Sequence, residues 1–179
     1  MTYSDSDLQG IYEVLMKVHF HLIWTDLTNA ILFNDDHYVK FYGLKNILGS
    51  NICGVGNRGI GVLFEGDINT IFNWCIDKKP LAPLRLAKLV PIYGENNSNY
   101  SEWHPYAKKL IDDFGYIKQV LSGLNVNMGT FSWTGSLVPL LEDQKSLFLT
   151  MQNHENQLIS EWAIGNLNSL EMQIKQEQK

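Results

Sequence analysis

The chain holds only two cysteines, Cys53 and Cys75, far apart and in no C-x-x-C arrangement. They allow at most one bridge, whose geometry the spacing does not fix, and they exclude a disulfide-dense secreted scaffold. No run reaches the roughly eighteen consecutive apolar residues that a membrane-spanning helix requires. The opening residues, MTYSDSDLQG, are acidic and polar where a signal peptide carries a basic start and an apolar core. The expected location is therefore the cytoplasm, with no membrane partner. There is no basic excess either: the formal net charge is −5, which argues against nucleic acid as a partner. Lys78, Lys79, Arg85 and Lys88 lie close together, as do Lys108 and Lys109, but such clusters read most simply as solvated helix faces.

Catalytic spacings are equally scarce. No G-x-S-x-G elbow, no H-E-x-x-H pair and no phosphate loop ending in Lys-Ser or Lys-Thr occurs. His19 and His21 point to different faces of a helix and make a poor chelate. His37, His104 and His154 are scattered, so no metal ligand set is expected. His19 falls on the apolar stripe of its helix, which predicts a core or interface position. Ser132, Cys53 and Cys75 lack a recognisable base, and Ser132 and Thr134 suit cap and turn positions before the following helix. Asp35–Asp36 and Asp112–Asp113 are adjacent pairs, and neighbours on a helix do not face one another. No catalytic, cofactor-binding or metal-ligating residue is assigned, and the chain is not expected to be an enzyme.

One stretch imitates a cofactor motif. In CGVGNRGIG, Gly54, Gly56 and Gly59 give the G-x-G-x-x-G spacing of a dinucleotide loop. That loop needs a strand before it and a helix N-terminus directly after it. Here the preceding YGLKNILGS has a helical pattern, and the next helix cannot start before Asp67. Asp77 has roughly the right offset for the acidic partner but belongs to a helix end. The glycines are better suited to an irregular crossing between helices, with Arg58 as the residue there able to touch a partner.

What the chain does have is 45% hydrophobic and 12% aromatic residues in 179, enough for a sizeable core. Those residues recur with helical spacing. Leu8, Ile11, Tyr12, Leu15, His19, Leu22 and Ile23 predict an N-terminal helix, capped by Ser4 or Ser6, weakened at Gly10 and broken near Thr25 or Asp26. A second runs from about Asp36 to Leu48 and stops at Gly49. Asp67 caps a helix bearing Ile68, Ile71, Phe72 and Cys75, which ends by Pro80. APLRLAKLVPIYG predicts a short buried helix, and GENNSNYSE is the best linker candidate. Pro105 starts a helix with Tyr106, Ala107, Leu110, Ile111 and Phe114 on one face, ended by Gly115. Ile117, Val120, Leu121 and Leu124 mark the next. Leu137, Leu141, Phe148 and Met151 mark a longer one. Leu158, Ile159, Trp162, Ala163, Leu167, Leu170 and Ile174 mark the last, whose polar end KQEQK is expected to fray. Only GIGVLFEG suggests a strand.

His104 and His154 stand at successive helix starts about fifty residues apart, near the length of a two-helix HEAT-type unit. Trp103, Phe131 and Trp133 fall where a solenoid places its turns. They suit turn locking or core packing, with a partner anchor as the alternative.

His104-Pro105, Phe114-Gly115, the run TFSWTGSLVP from Thr130 to Pro139, His154 and Trp162-Ala163 together resemble a C-terminal HEAT-like helical segment of large bacterial proteins. Several of those look like nucleotide-binding or anti-phage defence proteins. RGIG at Arg58–Gly61 and LAKLVPIYG fit the same pattern, so the resemblance covers roughly residues 55 to 175, although HENQ stands where His-Pro is usual. It implies a segment of, or a relative of, a longer protein, and it carries no catalytic residue across. The expected fold is an all-α, HEAT-like α-solenoid or right-handed superhelix of about eight to nine helices. It forms a single domain, 1–179, with N-terminal helices in 1–50, a Gly-rich loop in 51–66 and the HEAT-like region in 67–179. The expected function is protein interaction as a sensor, scaffold or oligomerisation module. The expected partner is another protein, a larger parent chain or a second copy, with Arg58, Trp103 and Trp133 as contact residues. A toxin-neutralising immunity-type protein and a nuclease or nucleotide hydrolase on a helical scaffold are the rival readings.

Overall fold

The computed structural model describes residues 11, 14–15, 17–26, 28, 67–94, 100–128 and 134–179. These residues are mostly helical and include no strand, only one isolated antiparallel bridge between Tyr93 and Trp103. The chain is thus all-α over what is described. It groups into two compact units, Met1–Val90 and Pro91–Lys179. Composition offers no break at that point, but the boundary falls just ahead of the polar run taken as the linker candidate.

In the first unit, α1 covers residues 17–26, with Ile11, Val14, Leu15 and Thr28 also helical. The helix continues through Thr25 and Asp26, where a break was expected. The Thr28 hydroxyl donates to the Thr25 carbonyl at 2.9 Å, so its polar group is used inside the helix and not as a cap. Helix α2, Ile68–Asp77, starts as the sequence predicts: Asp67 is extended, and its carboxylate accepts from the N–H groups of Asn69 and Thr70. The Thr70 hydroxyl also donates to it at 2.7 Å, and these bonds hold the Asp67 carboxyl below its ordinary range. Ile71, Phe72, Trp74 and Cys75 are buried. Trp74 thus joins the predicted face, while Ile68 is only partly covered.

Helix α3, Leu81–Ala87, follows a cis Lys79–Pro80 peptide bond. Pro83 lies in its first turn, where a missing N–H removes no intrahelical bond. Ala82, Pro83, Arg85, Leu86 and Ala87 are buried, as the all-round apolar pattern requires. Arg85 departs from the sequence reading. It does not share a solvated face with exposed Lys78 and Lys79 but is 7% exposed, and burial lowers its pKa. Helices α2 and α3 pack on one another.

The second unit begins with an extended return. Gly94 N–H donates to the Glu102 carbonyl at 2.8 Å and His104 N–H to the Ile92 carbonyl at 2.8 Å, flanking the Tyr93–Trp103 bridge. Helix α4, Pro105–Phe114, then buries all five residues of its predicted stripe: Tyr106, Ala107, Leu110, Ile111 and Phe114. Fully burying each large apolar side chain contributes roughly 1.5–3 kcal/mol before entropy is counted.

Gly115 ends α4, but not by adopting a left-handed conformation; its φ is −64° and ψ is −11°. What requires glycine is proximity: a Cβ here would meet the Ile111 carbonyl oxygen and would lie 2.6 Å from Ile159 Cδ1. The missing side chain lets the following part of the unit close onto the end of α4. Helix α5, Lys118–Asn125, buries Val120, Leu121 and Leu124 as predicted.

Ahead of helix α6, Val138–Leu149, Gly135 takes φ 89°, in the left-handed region that glycine occupies without steric cost. Thr134 is exposed; the local bond is made instead by Ser136, whose hydroxyl accepts from the Val138 N–H at 3.3 Å. Leu141, Leu147 and Phe148 are buried, together with Gln144.

Helix α7, Gln157–Glu177, buries Ile159, Ala163, Leu167, Leu170 and Ile174. Leu158 is exposed and Trp162 partly buried. The polar end expected to fray is helical through Glu177. α6 packs along α7, α4 against α5, and α5 against α7, so α7 is the element that joins this unit together.

The expected helix at 36–48, the loop at 51–66 with Cys53 and Arg58, the GIGVLFEG strand, and Phe131, Ser132 and Trp133 lie outside the described residues.

Candidate functional site

Two aromatic and apolar assemblies are the candidates, one in each unit, and each follows from helical spacing. In the second unit, Trp103 sits immediately before the cap of α4, held by the bridge to Tyr93. Its ring meets Phe148 of α6 edge-on at 5.3 Å and stacks with Trp162 of α7 at 6.0 Å. Phe148 and Trp162 close the triangle at 5.2 Å with a 68° interplanar angle. Such offset and edge-on pairs each add about 0.5–1.5 kcal/mol beyond the area they bury. The Trp162 indole N–H donates to Asn125 Oδ1 at 2.8 Å, tying the end of α5 to α7.

The sequence marks Trp103 as a partner contact. Its side chain is partly buried and packs within its own unit. The buried Trp103 Nε1 finds no acceptor among the described residues. An unmet buried donor costs roughly 1–3 kcal/mol, so the gain from Trp103 comes from its ring. Trp162 and Asn125 complete this arrangement, and neither stood out in the sequence as a functional residue. Trp162 was placed on the stripe of its helix, but spacing along one helix says nothing about an aromatic neighbour on another.

Two histidines make the same kind of local bond near helix starts. His104 is extended, and its Nδ1 accepts from the Tyr106 N–H at 3.3 Å. His154 Nδ1 accepts from the Asn156 N–H at 3.0 Å. The local bond is the same, but the positions differ. His104 is itself the N-cap of α4, whereas the N-cap of α7 is Asn156, which accepts from the Leu158 N–H at 3.0 Å. The two helices therefore start out of step with the fifty-residue histidine spacing. His104 is 7% exposed, and burial lowers its pKa to about 4. It is a neutral imidazole at pH 7, with Nδ1 unprotonated as the cap requires. Beside the bridge, burial and the neighbouring Tyr100 raise the Tyr93 hydroxyl pKa well above its usual range.

In the first unit the described aromatic residues Phe20, Trp24, Phe72 and Trp74 are again buried. Phe20 stacks on Trp24 at 5.3 Å, and Trp24 meets Trp74 of α2 edge-on at 5.6 Å. Phe20, Trp24 and Thr28, four residues apart in turn, form the buried edge of α1. Of the stripe predicted for this helix, Ile11, His19 and Leu22 are exposed and Leu15 and Ile23 half-buried, while Leu8 and Tyr12 lie outside the described residues. His19 is exposed, as is His21. Ile11, Val14, Val18 and Leu22 are 50%, 60%, 65% and 75% exposed. Their spacing of three, four and four residues places them along one side of the helix. This is the clearest apolar surface feature in the described residues, and single exposed apolar side chains would not warrant the same attention.

Lys108, Lys109, Asp112 and Asp113 resolve into surface pairs. Lys108 Nζ lies 2.5 Å from Asp112 and Lys109 Nζ lies 2.8 Å from Asp113, each pair one helical turn apart. Adjacent aspartates thus carry separate lysine partners and form no acid/base dyad. Such exposed pairs contribute about 0–1 kcal/mol. Among the described residues, no three of the His, Cys, Asp and Glu side chains converge to hold a metal ion. No helix among them is long and apolar enough to cross a membrane. Arg58 and Trp133, the other two residues named as partner contacts, lie outside the described residues.

Comparison of the chain with protein-family models, with curated proteins and with solved structures finds no match.

Proposed function

We propose that this protein is a non-catalytic interaction module whose first unit docks a protein partner on the outer side of α1. The observation that carries this reading is the exposed apolar stripe Ile11, Val14, Val18 and Leu22. A helix that needed only its own fold would keep apolar residues on the side holding Phe20 and Trp24 and polar ones opposite. Here the opposite side is apolar too. Its spacing of three, four and four residues lines these side chains along one side of the helix, as a surface for a partner requires. The partner is another protein, a parent chain or a second copy. The HEAT-like arrangement, the relation to bacterial defence proteins, a cytoplasmic setting and the contacts through Arg58, Trp103 and Trp133 belong to the same proposal. The resemblance of TFSWTGSLVP and its neighbouring motifs supports them.

The test compares the tagged native chain with a Val18→Glu, Leu22→Glu double variant, each used as bait in cells that naturally produce the protein. Oligomeric state is followed in parallel by light scattering. The expected result is a protein or self-association specific to the native chain and lost in the variant, with thermal unfolding unchanged. Equal recovery by both baits, or a monomer with no specific partner in either form, would overturn the assignment to α1.

A further inference from the structure

We draw no further inference here: the strongest candidate, the apolar stripe of Ile11, Val14, Val18 and Leu22 along the outer side of α1, belongs to the surface already described, and nothing in the structure shows what covers it.

Discussion

Helix α4 sends every residue of its apolar stripe inward, whereas α1 divides its apolar residues between two sides. In α4 the five residues from Tyr106 to Phe114 are buried and the lysines and aspartates pair along the outer surface. In α1 the aromatic residues Phe20 and Trp24 are buried while Ile11, Val14, Val18 and Leu22 stay in water. Area accounts for which side wins. A buried aromatic side chain removes about 150–250 Å² from solvent, more than a valine can offer. Among the described residues α1 packs its rings on Trp74 of α2, so the aromatic side is the one turned inward. This exposed apolar side distinguishes α1 from α4, whose outer surface carries paired charges.

The contrast can be broken hardest at α4. Phe114 is 0% exposed and lies at the end of the stripe. Replacing it with alanine should cost about 3–5 kcal/mol, the range for emptying a buried aromatic site. The check is the urea midpoint of the intact chain, followed by near-ultraviolet circular dichroism. A loss below about 1 kcal/mol would mean that the α4 face is not the tight core described.

Acid should act next, through the cap of the same helix. The pKa of His104 is lowered in the folded chain to about 4 from an ordinary value of 6.5. Its neutral form is favoured by folding, so its contribution is complete above pH 6.5 and is lost as pH falls towards 4. At most this amounts to about 3 kcal/mol. Asn in place of His104 keeps a side-chain acceptor at the cap without a group that titrates there. Stability measured from pH 7 to 4 should fall less steeply in His104→Asn than in the native chain, and the carboxylates common to both cancel in the difference. Parallel profiles would remove His104 from the account of acid sensitivity.

Gly115 offers a third and smaller break. An added Cβ would stand 2.6 Å and 2.8 Å from the Cδ1 and Cγ1 of Ile159. Gly115→Ala should therefore cost about 1–3 kcal/mol by overpacking. Ile159→Val removes Cδ1, so the double variant should lose less than the two single losses combined. Strict additivity in the denaturant midpoints would move the cost from Ile159 Cδ1 to the Ile111 carbonyl oxygen, which an added Cβ also meets.

These three sites also show how far the sequence could be read. Asp67, Pro105 and the α4 stripe were legible because each acts within one or two turns of its own helix. Capping and periodicity are local rules. Gly115 was recognised as a helix end, but beside the nearby Ile111 carbonyl oxygen part of its reason is Ile159, forty-four positions away. No local rule contains that distance. Arg85 looked solvated because it stands among lysines, and its burial depends on which way a short helix is turned. The His104–His154 spacing suggested a repeat, but the caps show different helix positions for the two rings. The triangle of Trp103, Phe148 and Trp162 was invisible for the same reason as Gly115: three separate segments must meet before it exists. The exposed stripe of α1 was least legible, since an exposed stripe differs from a buried one only through its surroundings.

The smallest expected effect is therefore the most informative about that stripe. Val18 and Leu22 are 65% and 75% exposed, so glutamate at either position displaces little packed surface. Glutamate is also a better helix former than valine and about equal to leucine. The stability of Val18→Glu and of Leu22→Glu should stay within about 0.5 kcal/mol of the native chain, as surface changes usually do. Trp24→Ala, one turn away on the buried side, should cost several times more, because Trp24 packs on Phe20 and Trp74. Denaturant curves of the three variants at low protein concentration would measure the difference directly. If Leu22→Glu lost as much as Trp24→Ala, both sides of α1 would be engaged within the chain itself, and the outer side would no longer be available to a partner. If only Trp24→Ala lost stability, the outer side of α1 would contribute nothing to the fold, as the proposed docking surface requires.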